Sequence, residues 1–158
     1  FTYDAWKPFA PKFPIQDIQE LSFLISLPTT VPDEAAIGVY LADKLNATKV
    51  VGISLRFAEE ANEIFLQGIE EIPTGVSIRV GPKESAVPEA IYRVVLKLDW
   101  TEMTMEGFLE DITSGADPVN LGKVDFKFDT SMDGNDYGLF IRSAGILLYL
   151  DDVNIVKN

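Results

Sequence analysis

Residues 90–100, AIYRVVLKLDW, carry apolar side chains at every second position: Tyr92, Val94, Leu96, Leu98 and Trp100 fall on one side, Arg93, Lys97 and Asp99 on the other. A helix repeats its apolar positions at three and four, so a period of two demands a strand with one face in a core and one in water. KVDFKFDT (123–130) repeats the pattern, with Val124, Phe126 and Phe128 set against Asp125, Lys127 and Asp129. GVSIRVG (75–81) alternates, and LSFLISL (21–27) places Phe23 and Ile25 together. Strands of this kind pair antiparallel and need a second layer to cover their apolar face.

Other segments read less directly. PDEAAIGVYLADKLN (32–46) has Pro and acids where a helix begins and apolar residues at helical spacing, yet AIGVYLA also alternates as a strand. AEEANEIFLQG (58–68) presents the same choice between a short helix and a turn leading into a strand. Strands are preferred in both. TEMTMEGFLEDI (101–112) is read as the one short helix, with Thr101 as its N-cap and Met105, Phe108 and Leu109 as its apolar face. YGLFIRS, AG and ILLYL are read as a closing hairpin. The opening FTYDAWKPFAPKFPIQ (1–16), with three prolines, is expected to be an extended arm across the core. Together these predict one domain over 1–158, an all-β antiparallel jelly-roll β-sandwich with one short helix near 101–112.

Composition excludes several functions. The chain of 158 residues has neither cysteine nor histidine, which removes disulfides, Cys/His zinc sites, Cys nucleophiles and Ser-His-Asp triads. A net charge of −12, with the 13 Lys and Arg scattered, opposes nucleic acid and anionic lipid. No apolar run is long enough to span a membrane. The start at Phe1 rather than Met points to a processed or excised segment.

Chemistry-bearing residues are few. Glu59–Glu60, Glu70–Glu71 and Asp151–Asp152 are adjacent carboxylates, but a glycosidase needs two that flank one sugar, and solvated surface charge is the preferred reading. Ser77 lacks the context of a nucleophile elbow. DTSMDGNDYG (129–138) offers Asp129, Asp133, Asn135 and Asp136 as oxygen ligands, yet its spacing is not that of an EF-hand, and a turn is expected. Asn46 begins an NAT acceptor triplet for glycosylation. Aromatic rings stack on the CH faces of sugars, which makes Trp6, Tyr40 and Tyr137 the candidate ligand-binding residues, while Tyr92 and Trp100 share the core parity of their strand.

The end of the chain, AGILLYLDDVNIVKN, sets two carboxylates inside an apolar run. Strict alternation sends Asp151 and Asp152 to opposite faces, so one of them interrupts an apolar face and needs a hydrogen-bonding or cationic partner. Tyr149 to Ile155 resembles the closing strand of carbohydrate-binding jelly rolls, an aromatic, an apolar residue, Asp, Asn or Asp, Val, any residue, then Leu or Ile. NLGKVDFKFDT is similar to their penultimate part. The resemblance implies a non-catalytic carbohydrate-binding module of an exported or surface protein, with glycan as partner. It also implies a structural calcium at Asp151, with Asp4 as a second ligand. The alternatives are a structural or adhesive jelly roll of a virion, phage tail or surface layer that associates with itself, and a glycoside hydrolase using a carboxylate pair.

Overall fold

The computed structural model describes residues 2–10, 12–29, 36–43, 49–58, 61–69, 78–126, 137–145 and 149–158; the side chains of 2–4, 36, 37, 42, 43, 49–58, 61, 62, 67–69, 78–83 and 137 lie outside that description. Its strands are β1 (Thr2–Pro8), β2 (Ile18–Ser26), β3 (Ala36–Asp43), β4 (Lys49–Ala58), β5 (Ala61–Ile69) and β6 (Ile78–Ser85). They continue as β7 (Ile91–Asp99), β8 (Thr104–Asp111), β9 (Val119–Asp125), β10 (Tyr137–Ala144) and β11 (Tyr149–Lys157), with a 3-10 turn at Ile15–Asp17. One sheet has six strands in the order β1-β10-β3-β4-β5-β6, the other five in the order β11-β2-β7-β8-β9. Every pairing is antiparallel. The result is a jelly-roll β-sandwich, as the alternating segments predict.

The core lies between the sheets. From the five-stranded sheet it takes Leu21, Phe23, Ile25, Tyr92, Val94, Leu96, Met105, Leu109 and Val124; from the six-stranded sheet, Val39, Leu41, Ile64, Leu66 and Leu139. The alternation in β7 is realised residue by residue, and Trp100 packs half-buried beside Phe126 while its indole N–H donates to the Ile18 carbonyl at 2.8 Å. Burial pushes the Tyr92 phenol above its ordinary pKa, although its oxygen accepts the Val87 N–H at 2.8 Å. Both ambiguous segments are strands, β3 and β5, with Ala58 paired to Ala61 across the β4–β5 turn.

Three expectations are corrected. Residues 101–112 form a turn and then β8, not a helix. The Asp99 carboxylate accepts the N–H groups of Thr101 and Glu102, both at 2.9 Å, and Met103 takes φ +55°, which ends the turn. From Thr104 the chain alternates, with Met105, Gly107 and Leu109 inward and Phe108 on the opposite face, where the Lys97 ammonium sits 5.1 Å from its ring centre. The terminal segments are not a hairpin: β10 belongs to the six-stranded sheet and β11 to the five-stranded one. The arm is a strand through Pro8, at a sheet edge where proline is tolerated. Beyond it, Phe9 and Phe13 stack at 5.2 Å, with the Lys157 ammonium 4.2 Å from the Phe13 ring.

The sheets approach closely at Gly107, where a Cβ would overlap the buried Leu66 side chain from the facing sheet. Gly107→Val should therefore cost about 1–3 kcal/mol of unfolding free energy, read by chemical denaturation. At the end of β8, Asp111 accepts the Ser114 N–H at 3.0 Å, which holds its carboxyl below the usual carboxylate range. A pKa lowered by folding stabilises at neutral pH, and that contribution disappears as pH falls through the lowered value. Asp111→Asn should lower Tm at pH 7, and the gap to the unaltered chain should close in strong acid.

Candidate functional site

The two sheets meet unequally at their edges. β5 and β6 pack against β9 on one side, whereas on the other β1 and β10 stand apart from β11 around a cleft of about 620 Å³. Leu139, Ile141, Leu150 and Ile155 form its apolar wall, Pro8, Phe9 and Ala10 line it from the segment leaving β1, and Lys7, Asp151 and Asp152 supply its charged groups. Lys7 lies opposite Leu139 in the β1–β10 register and so shares the inward parity of that residue, which at this open edge brings it to the cleft.

The carboxylates arrive through a β-bulge. Asp151 pairs with Leu24 and Asn154 with Ser22, so Asp152 and Val153 together oppose Phe23. Asp152 takes φ +49°, a left-handed conformation that Asp adopts more readily than most residues. The Asp151 carboxylate accepts the Asp152 N–H at 2.8 Å, and the Asn154 amide donates to the Asp152 carbonyl and carboxylate, both at 3.1 Å. Local side chains thus replace the interrupted ladder. The extra residue also resets the alternation, so that Leu150 and Ile155, five apart, both pack against the core. This corrects the expectation from strict alternation: both aspartates are exposed, and both line one cleft.

The candidate aromatics fall elsewhere. Trp6, Phe140 and Tyr40 stand directly opposite one another on β1, β10 and β3, on the face of the six-stranded sheet away from the core. Phe140 and Tyr40 are only 5% and 6% exposed; the Tyr40 ring lies over Gly38, and the Arg142 guanidinium sits 5.4 Å from the Phe140 ring. Trp6 packs half-buried against this pair and does not line the cleft. Tyr137 opens β10 opposite Asp43, and its side chain lies outside the described residues.

Asp4 lies in β1 opposite Arg142, with its side chain likewise outside the description. Among the described residues no three Asp or Glu side chains converge to hold a metal, and one Asp151 oxygen is already an acceptor for backbone. Asn46, Glu59–Glu60, Glu70–Glu71, Ser77 and the 129–136 loop lie outside the described residues.

Sequence reasoning did not find Lys7 and Phe9 as site residues. The available signal was the parity conflict between Leu150 and Ile155, which only a bulge resolves.

The fold is an antiparallel jelly-roll β-sandwich with a cleft at one edge. No protein-family model and no curated protein sequence matches the chain. Among solved structures it is similar to sheep galectin-11 in complex with glycerol, with a TM-score of 0.56 at 9% identity, covering 95% of this chain and 98% of that one. It is similar to the CBM2 module of the Lactobacillus casei BL23 phage J-1 evolved Dit, with a TM-score of 0.54 at 9% identity, covering 90% of this chain and 60% of that one. It is equally similar to scytalido-glutamic peptidase with a transition state analog inhibitor, with a TM-score of 0.57 at 10% identity, covering 99% of this chain and 82% of that one. At such identities the likeness establishes the fold, in agreement with the resemblance of the closing strand, and one fold hosts many activities.

The bulge geometry makes a prediction of its own. Asp152→Gly should leave stability within about 0.5 kcal/mol, because glycine accepts the positive φ, while Asp152→Val should cost about 1–2 kcal/mol in equilibrium unfolding.

Proposed function

We propose that this chain is a non-catalytic carbohydrate-binding module of an exported or surface protein, and that the glycan enters the cleft between β1, β10 and β11. The observation that carries the reading is the pairing of an apolar wall with Lys7, Asp151 and Asp152 in one open cleft of about 620 Å³. A pyranose is amphipathic in the same way, with CH faces that sit on aliphatic and aromatic surface and hydroxyls that donate to carboxylates and accept from ammonium groups. The volume lies in the range of small-ligand sites. Phe9 offers the ring for stacking. The lectin and CBM2 folds to which the chain is similar support the substrate class.

The non-catalytic part rests on placement. Both carboxylates stand on consecutive residues of β11, on one wall of the cleft, whereas glycoside hydrolysis uses two that flank the scissile bond. The −12 net charge leaves a neutral or cationic glycan as the better partner than a sulfated or uronate-rich one.

Screening against soluble glycans followed by calorimetry tests the reading. Asp151→Ala and Phe9→Leu should each weaken binding about tenfold or more, in keeping with the loss of a charged hydrogen bond or a stacking ring. Binding abolished by Trp6→Ala and untouched by both cleft substitutions would move the site to the outer face of the six-stranded sheet. Absence of binding to every glycan would sink the proposal.

A further inference from the structure

The face of the five-stranded sheet turned away from the core carries rows of side chains set by register. Glu20, Lys97, Glu106 and Lys123 stand side by side on β2, β7, β8 and β9, alternating in sign. The next rows pair Val95 with Phe108 and Arg93 with Glu110, and at the end of the face Ile91 and Ile112 are joined by a backbone hydrogen bond. Ile91 is 37% and Ile112 39% exposed, a high value for isoleucine.

We infer that this face binds a second copy of the chain in a two-fold dimer. Turn one copy by half a revolution about an axis lying in the face and running along the strands between β7 and β8. Each residue of β7 then meets its cross-strand neighbour of the second copy. Arg93 meets the second copy's Glu110, Lys97 meets its Glu106, and Glu20 meets its Lys123. Val95 and Phe108 meet at the centre, and Ile91 meets Ile112. No like charges oppose each other in these rows, and the interface is isologous, the commonest symmetry of soluble oligomers.

Charge selects this occupant over others. The chain carries −12, so two copies repel over most of their surface. In the central rows three carboxylates face three cations, and the field of one copy there attracts the other. Four opposed strands about 4.8 Å apart and nine residues at about 3.4 Å outline roughly 590 Å² per copy, about 1,200 Å² for the pair, at the lower end of the range of a standard specific interface. The Arg93–Glu110 contact within one copy, 3.5 Å between side chains 44% and 38% exposed, is a weak surface pair that can exchange partners on association. None of these residues lines the cleft, so the inference is independent of the glycan reading.

Sedimentation velocity of the purified chain over roughly 1 µM to 1 mM covers the affinities of weak and moderate interfaces. The unaltered chain should shift from monomer to dimer with concentration. Lys97→Glu sets two negative groups face to face in both Lys97–Glu106 contacts between the copies and Glu106→Lys sets two positive ones there, so each alone should weaken association about tenfold or more. An equimolar mixture of the two variants should re-form a one-to-one heterodimer, a rescue that a folding defect would not produce. Arg93→Glu and Glu110→Arg form a second pair with the same logic, to be used if either first variant fails to fold. A chain monomeric throughout, a dimer indifferent to the substitutions, or a mixture that stays monomeric would each overturn the inference.

Discussion

Six strands facing five across a single apolar layer leave a mismatch that one edge of the sandwich must absorb. The edge at β9 cannot, because that strand packs against both β5 and β6. The mismatch therefore falls on the side of β1 and β11, the two edge strands, where Leu150 and Ile155 pack against the core and also border the cleft. Leu139, Ile141, Leu150 and Ile155 would pack face to face in a closed sandwich. Here they wall a cleft, and this is why a chain without histidine or cysteine nevertheless presents a concave site with charged groups over apolar surface. Edge strands also expose unpaired backbone groups and invite uncontrolled pairing. The Asp152 bulge, with its left-handed φ and two carboxylates, interrupts β11 along that edge. One local irregularity serves both ends: it aims charge into the cleft and spoils the strand as a template.

What the sequence makes legible follows from which forces are local. In β7, Tyr92, Val94, Leu96 and Leu98 hold every second position and are all buried, and a period of two sustained that long reads as a strand even though Ile91 and Val95 face outward. Val124 and Phe126 follow the same logic. TEMTMEGFLEDI misleads because Met105, Phe108 and Leu109 satisfy a helical face while Met105, Gly107 and Leu109 satisfy a strand face, and the second set wins only through tertiary packing. Gly107 is the residue that decides: weak as a helix former, it is the one side chain small enough to lie beneath Leu66. The false hairpin has a different origin. Adjacency in sequence favours pairing, but β10 lies between β1 and β3 and β11 lies on β2, a choice made by long-range registers that no window of ten residues contains.

The site was legible only as a contradiction. Strict alternation through LYLDDVNIV cannot place both Leu150 and Ile155 inward, and the chain solves this with one extra residue rather than with a buried charge and its partner. The bonds that make the bulge affordable come from Asp151, Asp152 and Asn154 themselves, short polar side chains that satisfy backbone groups within two residues. The aromatics were visible as residues but not as a row: nothing local tells that Trp6, Phe140 and Tyr40, drawn from the two ends of the chain and its first third, become direct cross-strand neighbours. Lys7 and Phe9 were hidden for the same reason, since their role depends on where β11 comes to rest.

Charge distribution separates the two binding readings physically. A neutral glycan feels little of the −12 field, so its affinity for the cleft depends on contact geometry and should vary weakly with ionic strength. A second copy carries the same field and must overcome it, so association is confined to surface where the local sum of charge vanishes and the pattern matches its own rotated image. The central rows of the outer face of the five-stranded sheet meet that condition, and the cleft edge, with Asp151 and Asp152 side by side, does not. A dimer formed through that face would leave the cleft of each copy open. Two glycan sites on one rigid body can engage neighbouring sugars of the same surface together, which raises the effective concentration of the second contact without any new interaction within either site.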